Sequence, residues 1–173
     1  MAKLLTENNV PVFKENLASF NQAKIVEAIE KLPKHSWLDS DQKLSNGNYN
    51  LAKKDDSYWD LAFPAVRKFL DGVIDKNLPQ FNFWNITSQW FQVYEKGDFH
   101  NWHIHGNCMF SGVFYISLEE SGCLQTADES VGNIDVFTGD IILFPSFLEH
   151  RVVEHSKKTP RVVIAFNVNF DRV

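Results

Sequence analysis

His103 and His105 form a His-x-His pair. In an extended chain, residues two apart project to the same side, so both imidazoles can aim at one point, as two adjacent ligands of a metal must. The stretch GDIILFPSFLEHRV at 139–152 supplies a third imidazole, His150, where the next strand opens. Imidazole suits iron, zinc, copper and nickel. Ligands drawn from two strands, with positions left open, describe a catalytic centre more readily than a closed structural one. His100 has the opposite parity on a regular strand and reads as a loop or surface histidine near Gly97. The pair alone could be an ordinary polar strand face, so a fourth residue carries much of the argument. Arg161 opens the apolar stretch RVVIAFNVNF. A charge entering such a strand needs an anionic partner, and a guanidinium grips a carboxylate in a bidentate fork. That carboxylate could belong to a ligand acid. Alternatively, Arg161 is a strand-end side chain that reaches solvent or pairs with Glu149 or Glu154.

The elements that must position these groups change character near residue 85. Before it, residues 18–32 place Phe20, Ile25, Val26, Ile29 and Leu32 near helical spacing, and Pro33 ends that helix. A second helix is expected from Ser57 to Ile74, with Pro64 inside it able to kink it or move its start. Between them, residues 36–54 are rich in Ser, Asn, Asp, Gly and Lys and read as a long loop or flap. After residue 85 the period becomes two. Strands are expected at 87–95, 109–118, 122–126, 133–136, 140–145, 151–154 and 161–170, punctuated by glycines. Short strands following a helical segment imply a sandwich or barrel with helices on one face, of which a jelly roll is one form. The chain is thus read as one mainly β domain. Residues 1–84 form a helical support and lid, and 85–173 form the core.

Composition narrows the function classes. The 173 residues carry a net charge of −5, which gives no support to general binding of nucleic-acid phosphates. Cys108 and Cys123 are too few for a disulfide framework and read as free thiols in a reducing compartment. No apolar run is long enough for a signal peptide or a bilayer span, so a cytoplasmic protein is expected. Trp84 and Trp90 are read as exposed aromatics available to a homodimer interface.

From about Trp90 to Phe170 the sequence resembles the iron(II)/2-oxoglutarate-dependent oxygenases. The nearer resemblance is to their prolyl-hydroxylase-like branch and to small uncharacterised members from marine bacteria and phages. The matching segments are His103-Ile104-His105, SGVFYI at 111–116, GDIILFPSFLEHRV at 139–152 and RVVIAFNV at 161–168. The resemblance implies a double-stranded β-helix, the cupin-like jelly roll. It implies iron(II) held by His103 and His150, and 2-oxoglutarate with its far carboxylate on Arg161. Tyr115 and Tyr94 stand where relatives carry cosubstrate-contacting tyrosines. Asn167 shares the strand parity of Arg161 and is expected to reach the same cavity. The implied reaction consumes dioxygen, releases succinate and carbon dioxide, and hydroxylates a substrate that the sequence does not identify. Residues 36–54, with Gly47, would be the lid.

One position departs from the family pattern. Where relatives carry Asp or Glu two residues after the first histidine, this chain has His105. Either three histidines hold the metal, or Asp128 or Asp135 completes the set, or a metal is kept without catalysis. Two rival classes remain open at this level. One is a cupin-type three-histidine enzyme that ignores 2-oxoglutarate and does not need Arg161. The other is a noncatalytic jelly roll that binds a ligand or serves a structural role.

Overall fold

β12, the last strand, is buried on both faces, and this organises the molecule. Val162, Ile164 and Phe166 point to one side with Val168, while Arg161, Val163 and Ala165 point to the other, and all of them are buried. Such a strand reads as a continuous apolar run because neither face meets water. The structure, a computed structural model, describes residues 3–5, 10–17, 19–39, 42–49, 55–119 and 122–172.

In chain order the first elements are β1 (Lys3–Leu4), β2 (Phe13–Asn16), α1 (Gln22–Lys31), β3 (His35–Asp39), β4 (Gln42–Gly47) and α2 (Ser57–Asn77). There follow β5 (Phe83–Tyr94), β6 (His100–His103), β7 (Phe110–Ser117) and β8 (Gly122–Thr126). The chain ends with β9 (Ile134–Val136), β10 (Asp140–Pro145), β11 (His150–Val152) and β12 (Arg161–Asp171). One sheet runs β1-β2-β10-β7-β12-β5-β4-β3 and the other β6-β11-β8-β9, with antiparallel pairing between the neighbours. The larger sheet carries α1 and α2 on one face and the smaller sheet on the other, which is the jelly-roll layering expected from the strand pattern.

Both expected helices form for the reasons their sequences suggest. α1 buries Ile25 and Ile29, and it stops before Pro33 with Leu32 in an extended conformation at ψ 149°, as a residue preceding proline prefers. α2 buries Trp59, Ala62, Val66, Phe69, Leu70 and Val73 along one stripe. Pro64 lies inside it and neither ends the helix nor moves its start. Among the described residues, no helix is long and apolar enough to cross a membrane. Cys108 is a free thiol, whereas the side chain of Cys123 lies outside the described residues.

Two expectations need correction. The N-terminal half is not only helical, because β1 to β4 extend the larger sheet at both edges. The segment 36–54 is not a long loop over its described part. It forms the β3–β4 hairpin, which joins β5 through the pairs Asn46↔Val93 and Gly47↔Gln92. Its polar residues satisfy buried groups: Asn48 Oδ1 accepts the Phe91 N–H at 3.0 Å, and Asn48 Nδ2 donates to the Tyr58 hydroxyl at 3.3 Å. Gly47 lies in this pairing, and a Cβ there would lie 2.5 Å from the Phe91 carbonyl oxygen. Its lack of a side chain allows β4 to close on β5. Residues 40, 41 and 50–54 of the expected lid lie outside the described residues.

The centre of the larger sheet contains a second close approach. Gly112 on β7 pairs with Phe166 on β12, and a Cβ at Gly112 would meet the Phe166 ring at 2.2 Å. Phe166 is fully buried, with its ring against that of Trp59. Gly112→Ala is expected to cost about 1–3 kcal/mol through overpacking, read as a lower midpoint in urea unfolding. A wild-type midpoint would show that the ring can yield.

Candidate metal centre

β6 and β11 are antiparallel neighbours, and their register puts His103 directly opposite His150. The two rings stand 4.2 Å apart. His105 follows the end of β6, and its backbone N–H donates to the Ser146 carbonyl at 2.9 Å, which pins it to the turn leading into β11. Its ring lies 5.2 Å from that of His103 and 5.3 Å from that of His150. One nitrogen from each of the three lies within 4.8 Å of the others, and this is the one group of potential metal ligands among the described residues.

The tautomers of two ligands follow from their partners. A backbone carbonyl only accepts, so His103 donates through Nδ1 to Asn101 O at 2.7 Å, and His150 donates through Nδ1 to Leu148 O at 2.8 Å. In the neutral ring Nε2 then keeps its lone pair, the arrangement in which carbonyl partners orient metal-bound histidines. Burial holds all three rings neutral. It lowers His103, while burial and then His103 push His105 down to about 4 and His150 to about 3. Three unprotonated nitrogens converging on one point fit a divalent transition metal. Among the described residues no carboxylate joins them. Asp128 is held in a turn by Ser130 at 2.6 Å, and Asp135 is exposed on β9, so neither of these two aspartates stands with the three histidines.

His100 also needs correction. Its ring stacks on His103 at 4.1 Å with an interplanar angle of 15°, and it lines the cavity. The parity argument fails because β6 bulges. His150 and Val152 on β11 are two residues apart, whereas their partners His103 and His100 are three apart. The extra residue brings both rings to the same side.

The histidines close one side of a cavity of about 200 Å³ between the two sheets. Its floor is the larger sheet, where cross-strand rows succeed one another. Arg161 pairs with Tyr94, and Val163 pairs with Gln92 and Tyr115. Ala165 pairs with Trp90 and Val113, and Asn167 with Ser88 and Ser111. Arg161 is only 6% exposed, so it does not reach out to solvent. Its guanidinium carbon lies 5.3 Å from the centre of the Tyr94 ring, and Nη2 donates toward Val153 O at 3.5 Å and His155 Nδ1 at 3.4 Å. His155 donates through Nε2 to Thr159 O at 2.7 Å, which leaves Nδ1 to accept from the arginine. The sequence offered no signal for this supporting role beyond the proximity of His155 to His150.

Tyr94 and Tyr115 both lie in the cavity wall, buried. The Tyr94 hydroxyl donates to Gln92 Oε1 at 3.1 Å, and burial raises its pKa. Asn167 keeps the expected parity but does not line the cavity. Its amide accepts from Ser111 Oγ at 2.8 Å and donates to Ser88 Oγ at 3.0 Å, so it sits behind Ser111. Trp90 and Trp84 are not the exposed pair expected of an interface. Trp90 is 4% exposed and forms cavity wall, 5.9 Å from the His105 ring, while Trp84 packs on Phe63 and donates to Asp71. Gln92, Trp90 and His100 are wall residues that the sequence did not single out as such.

Residues 124–167 match a family described as "Putative 2OG-Fe(II) oxygenase". No curated protein matches the chain. Among solved structures, an oxidoreductase of the 2OG-Fe(II) oxygenase family from Burkholderia pseudomallei is 13% identical. Its TM-score is 0.67, over 90% of this chain and 84% of that one. The viral collagen prolyl hydroxylase of Paramecium Bursaria Chlorella virus-1, solved with 2OG, is 14% identical with a TM-score of 0.63, over 91% and 94%. HygX from Streptomyces hygroscopicus, with nickel and 2-oxoglutarate bound, is 11% identical with a TM-score of 0.65, over 91% and 82%. At these identities the likeness establishes the jelly-roll fold.

The depressed histidines make the metal-free protein sensitive to acid. His105 and His150 have folded pKa values near 4 and 3, below the unfolded value of about 6.5. Between these values the unfolded chain holds more protons. The stability they contribute is therefore complete above the unfolded value and is lost as pH falls toward the folded ones. For His150 the loss should reach about 2 kcal/mol between roughly pH 7.5 and pH 5. Urea unfolding of metal-stripped wild type and His150→Ala at both pH values measures it as the difference in their pH dependence. An identical dependence in the two proteins would refute it.

Proposed function

We propose that this chain is an iron(II)- and 2-oxoglutarate-dependent oxygenase that hydroxylates its substrate. The observation that carries the reading is the pairing of two groups in one cavity: three neutral, convergent imidazoles on one wall and a buried guanidinium on the floor. The family match over residues 124–167 and the shared fold support it.

In this reading His103, His105 and His150 hold iron(II) through their free nitrogens. When bound, the iron supplies dioxygen activation coupled to decarboxylation of 2-oxoglutarate to succinate and carbon dioxide. Arg161 anchors the far carboxylate of the cosubstrate. Because Arg161 is buried, that charge-assisted contact is stronger than it would be in water. His155 and the Val153 carbonyl hold Arg161, so the fork is oriented before the ligand arrives. Tyr94, Tyr115 and Gln92 line the same end of the cavity and exclude water from the anchor. Asn167 acts one layer back, fixing Ser111. With three uncharged ligands the protein leaves the metal's charge unbalanced, so a dianionic 2-oxo acid is an electrostatically favourable partner. Cys108 as a free thiol suits a reducing compartment such as the cytoplasm, where iron stays ferrous.

Anaerobic titration with iron(II) and then 2-oxoglutarate tests this through the visible metal-to-ligand charge-transfer band. The band should require both components and should be absent in His150→Ala. In Arg161→Ala it should appear only at cosubstrate concentrations raised roughly tenfold or more. Iron binding without any response to 2-oxoglutarate, or an Arg161→Ala titration matching wild type, would favour a three-histidine enzyme of the cupin type.

A further inference from the structure

Trp90 carries a buried donor that the protein leaves unpaired. The side chain is 4% exposed, and its indole Nε1–H meets no acceptor in the protein. A buried N–H without a partner is costly, so native structures keep few of them and each calls for a cause. Among the described residues two other buried side-chain atoms share this condition, Asp56 Oδ1 and Asn77 Nδ2. Those two stand at the ends of α2, outside the cavity, whereas Trp90 is cavity wall.

The position of the donor says which molecule it serves. Trp90 and Tyr94 share the cavity face of β5 and stand about 13 Å apart along the strand, Tyr94 paired with Arg161 and Trp90 with Ala165. Trp90 therefore occupies the end of the floor away from the guanidinium. Its ring lies 5.9 Å from that of His105 and 4.9 Å from that of Tyr49. The other polar groups of the floor have partners: Tyr94 donates to Gln92, Gln92 to Ser45, and Ser111 to Asn167. A short diacid anchored on Arg161 and reaching the histidines covers the Tyr94 and Gln92 rows. The row of Trp90, Ala165 and Val113 is left for a second molecule. An indole N–H donates and cannot accept, so the group that meets it must be an acceptor. An ammonium or a bare hydrocarbon there would leave it unpaired.

We propose that Trp90 is a substrate-recognition residue: the oxidised molecule carries a carbonyl or hydroxyl oxygen that accepts the Nε1–H bond beside His105. This rests on the oxygenase reading, which puts the cosubstrate at the Arg161 end and leaves the Trp90 end to the substrate.

The test is NMR of the indole N–H signals in protein carrying 2-oxoglutarate and zinc(II), a diamagnetic stand-in for iron(II). The sequence has five tryptophans, and the signal lost in Trp90→Phe is that of Trp90. The probes are cyclopentanone and methylenecyclopentane, which share a shape and differ in carrying an oxygen or a methylene at one position. Cyclopentanone should move the Trp90 N–H downfield to saturation, and methylenecyclopentane should not. Trp90→Phe should lower the ratio of ketone to alkene affinity roughly tenfold, read from the Val113 methyl signals. The ratio is the readout because loss of ring bulk affects both probes alike, and circular dichroism checks the fold. A Trp90 N–H that answers the alkene as it answers the ketone, or answers neither, overturns the proposal. So does an affinity ratio that Trp90→Phe leaves unchanged. A downfield shift already complete with zinc(II) and 2-oxoglutarate alone also overturns it, and gives the donor to the cosubstrate. The iron and 2-oxoglutarate band of the wild type is read separately. Its presence alongside a failed ketone test removes this inference alone, and its absence removes the oxygenase reading.

Discussion

A one-residue slip of β12 against β5 and β7 would carry the Arg161 guanidinium into the core beneath α2 and turn Val162, Ile164 and Phe166 toward the cavity. Both outcomes are costly: the first buries a charge among apolar side chains, and the second empties a packed layer. Burial on both faces therefore locks the register of the central strand, and with it the floor of the cavity. The cross-strand rows follow from that lock. Arg161 stands beside Tyr94, Val163 beside Gln92 and Tyr115, and Ala165 beside Trp90 and Val113. The helices matter to the site through this strand, since the layer under α2 is what fixes it in place.

The metal end is built differently, from a short and irregular pairing. β6 and β11 contribute few residues, and the bulge between them departs from regular alternation. Precision comes instead from backbone carbonyls that fix two rings through Nδ1 and from the His105 N–H bond to Ser146. The burial that surrounds these rings keeps the imidazoles unprotonated. Desolvation thus leaves the three nitrogens ready for a metal and, in the proposed reading, strengthens the hold of Arg161 on an anionic ligand. Both are consequences of closing one sheet over another.

Where sequence reasoning and structure part, the cause is local geometry. The polar segment 36–54 reads as loop because an edge hairpin pairs through its backbone, and backbone hydrogen bonds leave little trace in side-chain pattern. His100 reads as facing away because parity assumes an unbroken strand, and a bulge cannot be seen in HNWHIH. Trp90 reads as an exposed aromatic, yet it is buried as cavity wall. Asn167 follows its parity but is held by two serines that lie far away in sequence. Each of these depends on which distant segment supplies the partner.

The sequence by itself determined the strand alternation after residue 85, both helices, the three convergent histidines and the arginine on the apolar strand. These are legible because side-chain period and ligand chemistry are local properties of consecutive residues. Only the tertiary structure decided that His103 faces His150, that His155 supports Arg161, and that no described aspartate enters the metal site. Those facts arise from antiparallel register and from contacts that range from six to tens of positions apart, which no local period encodes.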